Sequence, residues 1–556
     1  MLILLLPFLI LSCGRDDFWD QFGSDNKIPS SISFIDVNPD EDFLTGAVTI
    51  GKASDEKNVT QYKLYWGSSA SAKYSSAPIA VFSADGTDKT YTFTNEHVPS
   101  GATHLLALTA NSSGDMTKYK AIDFEDIVVK MEKDIHTLAS SSPVWFVEMG
   151  GKIYFFAIDS VSNFVFRSYD PSTGLLSVIK HALETAAYEV NDELKIFAFS
   201  YKGWIYYKSR IAASPAPNQF RLFRFNESNP VEPVPDVFDL ERPFINTDND
   251  MLYFFADNLA NQLDLYSFDT TSSFPIPGVA VTNITNSGGS LSLLANTKIV
   301  YNKSNSTYYY IIFNTGYKLF SYTIAAPIPI NTFTAANGEI FVFNDKLYFG
   351  AENDGSGYEV WEYNPSTTIF TRISNINISG DSFPSSFFSW QNYLYFIADD
   401  SDGYELYRTD GSTVLPINEI NSSALDAFDT SIPLFLNFKY YKNKLYMRAD
   451  SSAIGNNREL WVTDGIPGGD THNVHNPDPL GDSQVLLGNI FQDRLFYKDT
   501  LTDYLWFYDP DKMSIPLKIQ TSTGIDPSTG VIYNNKMYFA GSYPGLGREL
   551  WVLYYK

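Results

Sequence analysis

The sequence predicts an all-β protein, a β-sandwich followed by a large β-propeller, and three observations predict it. Of 556 residues, 44% are hydrophobic and 16% aromatic, with 37 Tyr and 42 Phe set among Asn, Ser, Thr and Gly, a composition of short strands and tight turns. No long stretch carries apolar residues at helical spacing. From residue 135 onward one short aromatic strand recurs in nine units at roughly 40 to 55 residues, the period of a propeller blade.

The first element is "MLILLLPFLILS", an apolar stretch of signal-peptide length, too short to span a bilayer as a helix of about 20 residues. It is followed by Cys13, the one cysteine of the chain, which excludes an intramolecular disulfide and a cysteine metal cluster. With Ser12 and Gly14 beside it, "LILSCG" resembles a bacterial lipobox. That resemblance implies cleavage after residue 12, lipidation of Cys13 and anchoring in the cell envelope, at the outer membrane or surface, with residues 13–30 as a polar tether. The rival reading is an ordinary secretory signal with an incidental cysteine.

Residues 31–126 alternate strand-like runs with turn residues. In "VTQYKLYWG", Tyr62, Leu64 and Trp66 fall on one face and Gln61, Lys63 and Tyr65 on the other, as a half-buried strand requires. Six or seven such runs in just under a hundred residues predict a sandwich. The segment "GKASDEKNVTQYKLYWG" resembles fibronectin type III-like domains of bacterial surface proteins, which implies a spacer or binding module. One loop here could hold a cation: "DVNPDED" sets Asp36, Asn38, Asp40 and Asp42 at alternate positions, the spacing of the first ligands of a calcium loop. Glu41 and Ala47 stand where that loop has Gly and Glu, and the rival reading is a solvated acidic turn. Calcium is the only cofactor the sequence suggests.

The repeating strand reads "KIYFFAIDS", "MLYFFADN", "KLYFGAEND", "YLYFIADD" and "KLYMRADS" in five of the units. A second follows it: "YEVWEYN", "YELYRTD", "RELWVTD", "RELWVLY". With one strand upstream and one downstream, each unit predicts a four-stranded sheet buried on both faces, giving eight or nine blades over residues 127–556. "YELYRTDG" and "RELWVTDGIPGGDT" resemble the ELWxxDGT repeat family of envelope and secreted proteins, a resemblance that implies a propeller and no particular activity. Trp361, Trp461 and Trp551 are the repeat's packing positions, and Asp464 and Gly465 its corner. The chain stops at the third strand of its last unit, so "IVVKMEKDIHTLA", near Ile127 to Leu138, is expected to supply the missing strand and close the ring.

No HExxH, GxSxG or P-loop occurs, and in "HNVH" a spacing of three turns His472 and His475 to opposite faces of a strand. Thirty-nine basic against 64 acidic residues, a net charge of −25, repel nucleic acid and anionic lipid head groups. The expectation is a monomeric, lipid-anchored, non-catalytic binding and adhesion platform for a protein or glycan. Its rivals are a glycan-active propeller enzyme and a structural component of an envelope complex.

Overall fold

The computed structural model describes residues 25–137, 139–159, 164–181, 196–210, 220–234, 238–257, 263–271, 281–284, 291–323, 327–421, 425–430, 437–451, 457–477, 483–519, 524–543 and 547–556. Cys13 lies outside the described residues, as does Leu138. The chain divides into two compact units, residues 1–130 with 518–521 and 552–556, and residues 131–517 with 522–551.

The first unit is two sheets on one core. Ile32–Ser33, Phe43–Ile50 and Lys89–His97 form the smaller; the larger is built on Gln61–Ser69 and His104–Asn111. Leu44, Val48 and Phe93 from one meet Tyr62, Leu64, Leu105 and Ala107 from the other. Tyr65, on the opposite face of its strand, packs with Leu106 and Leu108 instead. The period-two pattern thus sorts each strand between two apolar clusters.

In the rest of the chain the described residues form nine four-stranded antiparallel sheets, which we number 1 to 9. They span 144–178, 197–233, 238–283, 299–333, 335–372, 385–416, 438–475, 485–518, and, for sheet 9, 525–555 together with Ile127–Lys133. The architecture is that of a β-propeller. The second strands read as continuous apolar runs because both of their faces are covered. In sheet 5, Leu347, Phe349 and Ala351 pack toward sheet 4, while Tyr348 packs toward sheet 6. Burying one such aromatic or aliphatic side chain stabilises the fold by about 1.5–3 kcal/mol, so these inter-sheet layers dominate its energetics.

First and second strands join through two-residue turns in which both residues have positive φ: Asn344–Asp345 (47° and 62°), Gln391–Asn392 (49° and 65°) and Lys442–Asn443 (47° and 60°). This geometry matches the right-handed twist of the hairpin, and Asn and Asp tolerate it better than most residues.

Consecutive sheets are tied by a repeating main-chain relay. The amide of Ser382 donates to the carbonyl of Tyr358, where the third strand of sheet 5 begins, and its own carbonyl accepts from Asp399, where the second strand of sheet 6 ends. Ala427 links Tyr404 to Asp450 in the same way, and Ser141 links Arg548 to Ile158. The junction between sheets 9 and 1 is therefore bonded like the internal ones, and the first strands of sheets 9 and 1 touch. In sheet 9 the order is Ile127–Lys133, Gly547–Tyr555, Lys536–Tyr543, Ile525–Tyr533, so the last strand of the chain gains its outer partner from residues before sheet 1.

Candidate functional site

Neighbouring sheets of a propeller converge on the axis, and here contacts between sheets run largely through the first strands: those of sheets 1 and 2, 3 and 4, 4 and 5, 5 and 6, 7 and 8, and 8 and 9 touch. These strands make the inner wall. Most of them bulge. The register slips between Val144 and Val147, Glu241 and Phe244, Ala336 and Ile340, Ser385 and Phe388, and Leu487 and Ile490. A bulge frees main-chain groups and re-aims side chains. Some of the freed groups are used from one sheet to the next. Arg242 donates to the carbonyl of Ala295 at 2.8 Å, and Asn489 to that of Gly530 at 2.9 Å. Glu339, buried at the bulge of sheet 5, accepts from Lys298, the residue just before sheet 4, at 2.8 Å and from the amides of Ser386 and Phe387 of sheet 6 at 2.8 and 3.3 Å. One carboxylate thus bonds residues on either side of its own sheet.

The wall also presents aromatic rings. Trp145, held at a φ of 58° by its bulge, is 45% exposed, with its ring 6.5 Å from that of Phe197 in sheet 2. Tyr440 of sheet 7 is equally exposed, 5.9 Å from the ring of Trp390. Large rings left open to solvent beside unpaired strand edges are suited to a flat or extended ligand. Sequence reasoning missed Trp145, Tyr440, Lys298 and Glu339. In a chain this rich in Phe and Tyr, an aromatic on the wall reads like one between sheets, and a bulge breaks the alternation that would tell them apart.

A second set of polar groups lies inside the propeller. The Glu of the repeated third strand is buried, and its carboxylate accepts from the connection that follows its own sheet. Glu359 receives Ser374 Oγ at 2.6 Å and the amides of Ile376 and Asn377 at 3.1 and 3.3 Å. Glu405 receives the amides of Ile420 and Asn421 at 3.1 and 2.9 Å, and burial pushes its carboxyl up to about 7. Glu459 is held by Asn457, Asn473, Asn476 and the indole N–H of Trp461. These groups fix loops and are enclosed by them, which makes them architecture.

The residues singled out in the sequence fall in separate places. Trp361 and Trp551 are buried; Trp461 packs against the core shared by sheets 6 and 7. Asp464 closes its corner by accepting from the amides of Ile466 and Asp470. The Gly465 carbonyl receives Tyr395 Oη at 3.0 Å and Arg408 Nη1 at 2.7 Å, both from sheet 6. His472 pairs with Asp470 and His475 with Tyr497, so they face different partners. In the first unit, Asp36 Oδ1 accepts from the amides of Asn38 and Thr45, Asn38 Oδ1 accepts from the amide of Asp40, and the Asp42 carboxylate meets Lys556. Among the described residues no group of three or more His, Cys, Asp or Glu stands in an arrangement for a metal ion.

No protein-family model matches the chain, and no curated protein matches it. Among solved structures it is similar to a puromycin hydrolase, at 10% identity over 66% of this chain and 60% of that one, with a TM-score of 0.37. It is similar to the β-propeller domain of the Trilobed protease from Pyrococcus furiosus, at 11% identity over 61% of this chain and all of that one, TM-score 0.31. TolB from Acinetobacter baumannii is matched at 14% identity over 68% of this chain and 79% of that one, TM-score 0.25. The chain spans 60% of the length of the puromycin hydrolases it matches. These likenesses are ones of fold. Puromycin hydrolases, prolyl endopeptidases and acylaminoacyl peptidases stand among these neighbours, and it is this finding that goes against the expectation of a non-catalytic adhesion platform.

Proposed function

We propose that the nine sheets are the nine blades of one closed propeller, and that this propeller serves peptide hydrolysis, taking an extended segment of the substrate along its inner wall. The observation that supports a peptide is the wall itself. Each first strand stands at the end of its sheet's pairing order, so it is an edge with a row of main-chain N–H and C=O groups on the side away from its partner. An extended peptide satisfies such a row by adding to it, and the exposed rings of Trp145 and Tyr440 supply apolar contacts for its side chains. A net charge of −25 favours neutral or basic peptides. Hydrolysis enters through the names of the neighbours, a hydrolase and peptidases. The test is incubation of the full chain with a defined peptide mixture, with new termini read by mass spectrometry. New termini are expected, formed about tenfold more slowly by the double variant W145A/Y440A. A folded chain that cleaves nothing in the mixture overturns the reading.

We propose also that Cys13 carries the lipid that holds the chain to the envelope, supported by the apolar run and small residues around it. The first unit is then a fibronectin type III-like spacer, a reading supported by its two sheets on one core. Incorporation of a clickable palmitate analogue, present in the natural chain and lost in C13A, is the expected result; equal labelling of both rules the anchor out.

A further inference from the structure

The acidic loop of residues 36–42 fastens the strand that completes sheet 9, through contacts that all lie within the first unit. Asp36 Oδ2 accepts from the amide of Ile127 at 3.3 Å, and the Pro39 carbonyl from the amide of Val129 at 2.9 Å. In return the amide of Asp42 donates to Asp126 Oδ2 at 2.8 Å. Glu41 meets Lys130 at 3.3 Å and Lys556 at 3.2 Å, and Asp42 meets Lys556 at 2.8 Å. Asp126 and Lys556 exchange main-chain bonds of 3.4 and 2.9 Å. The loop therefore grips Ile127–Lys133 and the end of Gly547–Tyr555 where these two strands pair.

Two carboxyls in this grip are buried, Asp36 and Asp126, each 4% exposed. Asp36 Oδ1 is held by the amides of Asn38 and Thr45, whereas Asp126 Oδ1 is enclosed with no hydrogen-bond partner. Burial is the first cause that raises both, Asp36 to about 7. The charge of Asp126 adds to the rise at Asp36; those of Asp42 and Glu41 add to the rise at Asp126, and Lys556 opposes it. The other titratable groups around the grip are Asp40, Lys130 and His97, whose ring lies 5.1 Å from that of Phe43.

Released from the grip, such a carboxyl returns to water and titrates near its ordinary value of about 4. The closed form thus keeps a proton that the open form gives up. Opening becomes easier as pH rises from about 4 to about 7, and no easier above that. What opening relieves is the cost of two negative charges enclosed in one junction.

We infer that residues 36–42 form a proton-dependent clasp on the closing strands, shut while Asp36 and Asp126 hold a proton and loosened when both are ionised. The clasp is separate from the inner wall and does not rest on the peptide reading.

The experiment is amide hydrogen exchange of the full chain at pH 5 and pH 8, read as protection factors so that the intrinsic effect of pH on exchange drops out. Protection of residues 127–130 and Val552–Lys556 is expected to fall on the order of a hundredfold between the two. His104–Asn111, in the core of the same unit, is expected to stay constant. D36N has the shape of the protonated acid and keeps an acceptor for the amides of Asn38 and Thr45, so its loss is expected to be less than about tenfold. D126N is expected to act in the same direction. His97 is present in all three chains, so a fall that persists unchanged in both Asn variants overturns the clasp. Equal protection of the natural chain at pH 5 and pH 8 overturns it as well.

Discussion

The carboxylate of Glu549 accepts hydrogen bonds from the amides of Ile135, at 2.8 Å, and Ser141, at 3.0 Å, residues 414 and 408 positions earlier in the chain. His136 N–H and Ser141 Oγ complete the set. Glu359 makes the same kind of set with Ser374, Ile376 and Asn377, only 15 to 18 positions away. The last repeat therefore treats residues 135–141 as the connection following its own fourth strand, and sheets 9 and 1 are bonded to each other through it.

Replacing Glu549 with Ala strips several buried donors of their acceptor and is expected to destabilise the chain by about 3 kcal/mol. Glu359→Ala, in the middle of the ring, is expected to cost about the same, because the two carboxylates do the same work. Urea unfolding of both variants checks this. A negligible effect at Glu549 beside a large one at Glu359 would mean that the closing contacts are weaker than the internal ones.

Gly465 and Gly468 lie in the same turn, with φ of +76° and +68°, but only one of them is crowded. A Cβ on Gly465 would run into the Trp390 ring and stand 2.5 Å from the Tyr395 hydroxyl, whereas one on Gly468 would meet nothing within 4 Å. Gly465→Ala is expected to cost about 3 kcal/mol and Gly468→Ala about 1 kcal/mol, the latter from backbone conformation alone. Equal losses in chemical denaturation would show that the corner does not lock onto sheet 6.

Burial pushes the Asp36 carboxyl up to about 7, against the bonds it accepts from Thr45, Asn38 and Ile127. The folded chain thus holds this proton more tightly than the unfolded chain, whose carboxyl titrates near its ordinary value of about 4. The contribution to stability is greatest below that value, falls as pH rises toward 7, and is flat above. Glu405, also raised to about 7 by burial, acts in the same sense. Between pH 5 and pH 8 the natural chain is expected to lose about 2 kcal/mol more stability than Asp36→Asn. Parallel pH profiles of the two would contradict that assignment.

The four-stranded plan was legible because the second and third strands are apolar on both faces and return with a regular period. The need for a partner at the chain end followed from counting strands, and Ile127–Lys133 stands beside Gly547–Tyr555 in sheet 9. Other features were hidden for physical reasons. Alternate acidic residues at 36–42 suit a cation loop, but the same spacing lets a side-chain oxygen cap the amide two residues on, as Asp36 does for Asn38 and Asn38 for Asp40. The pattern placed Glu459 beside Trp461 on one face, yet it could not show that such a carboxylate bonds the fourth strand of its sheet and the residue just beyond it, 14 and 17 positions on.

The closing of the ring by its own two ends is tested most directly by amide hydrogen exchange across Ile127–Lys133 and residues 134–137 in a chain lacking residues 547–556. Loss of protection in that segment, accompanied by a lower unfolding midpoint for the whole propeller, is the result this structure requires. Protection as in the full chain, with an unchanged midpoint, would contradict it.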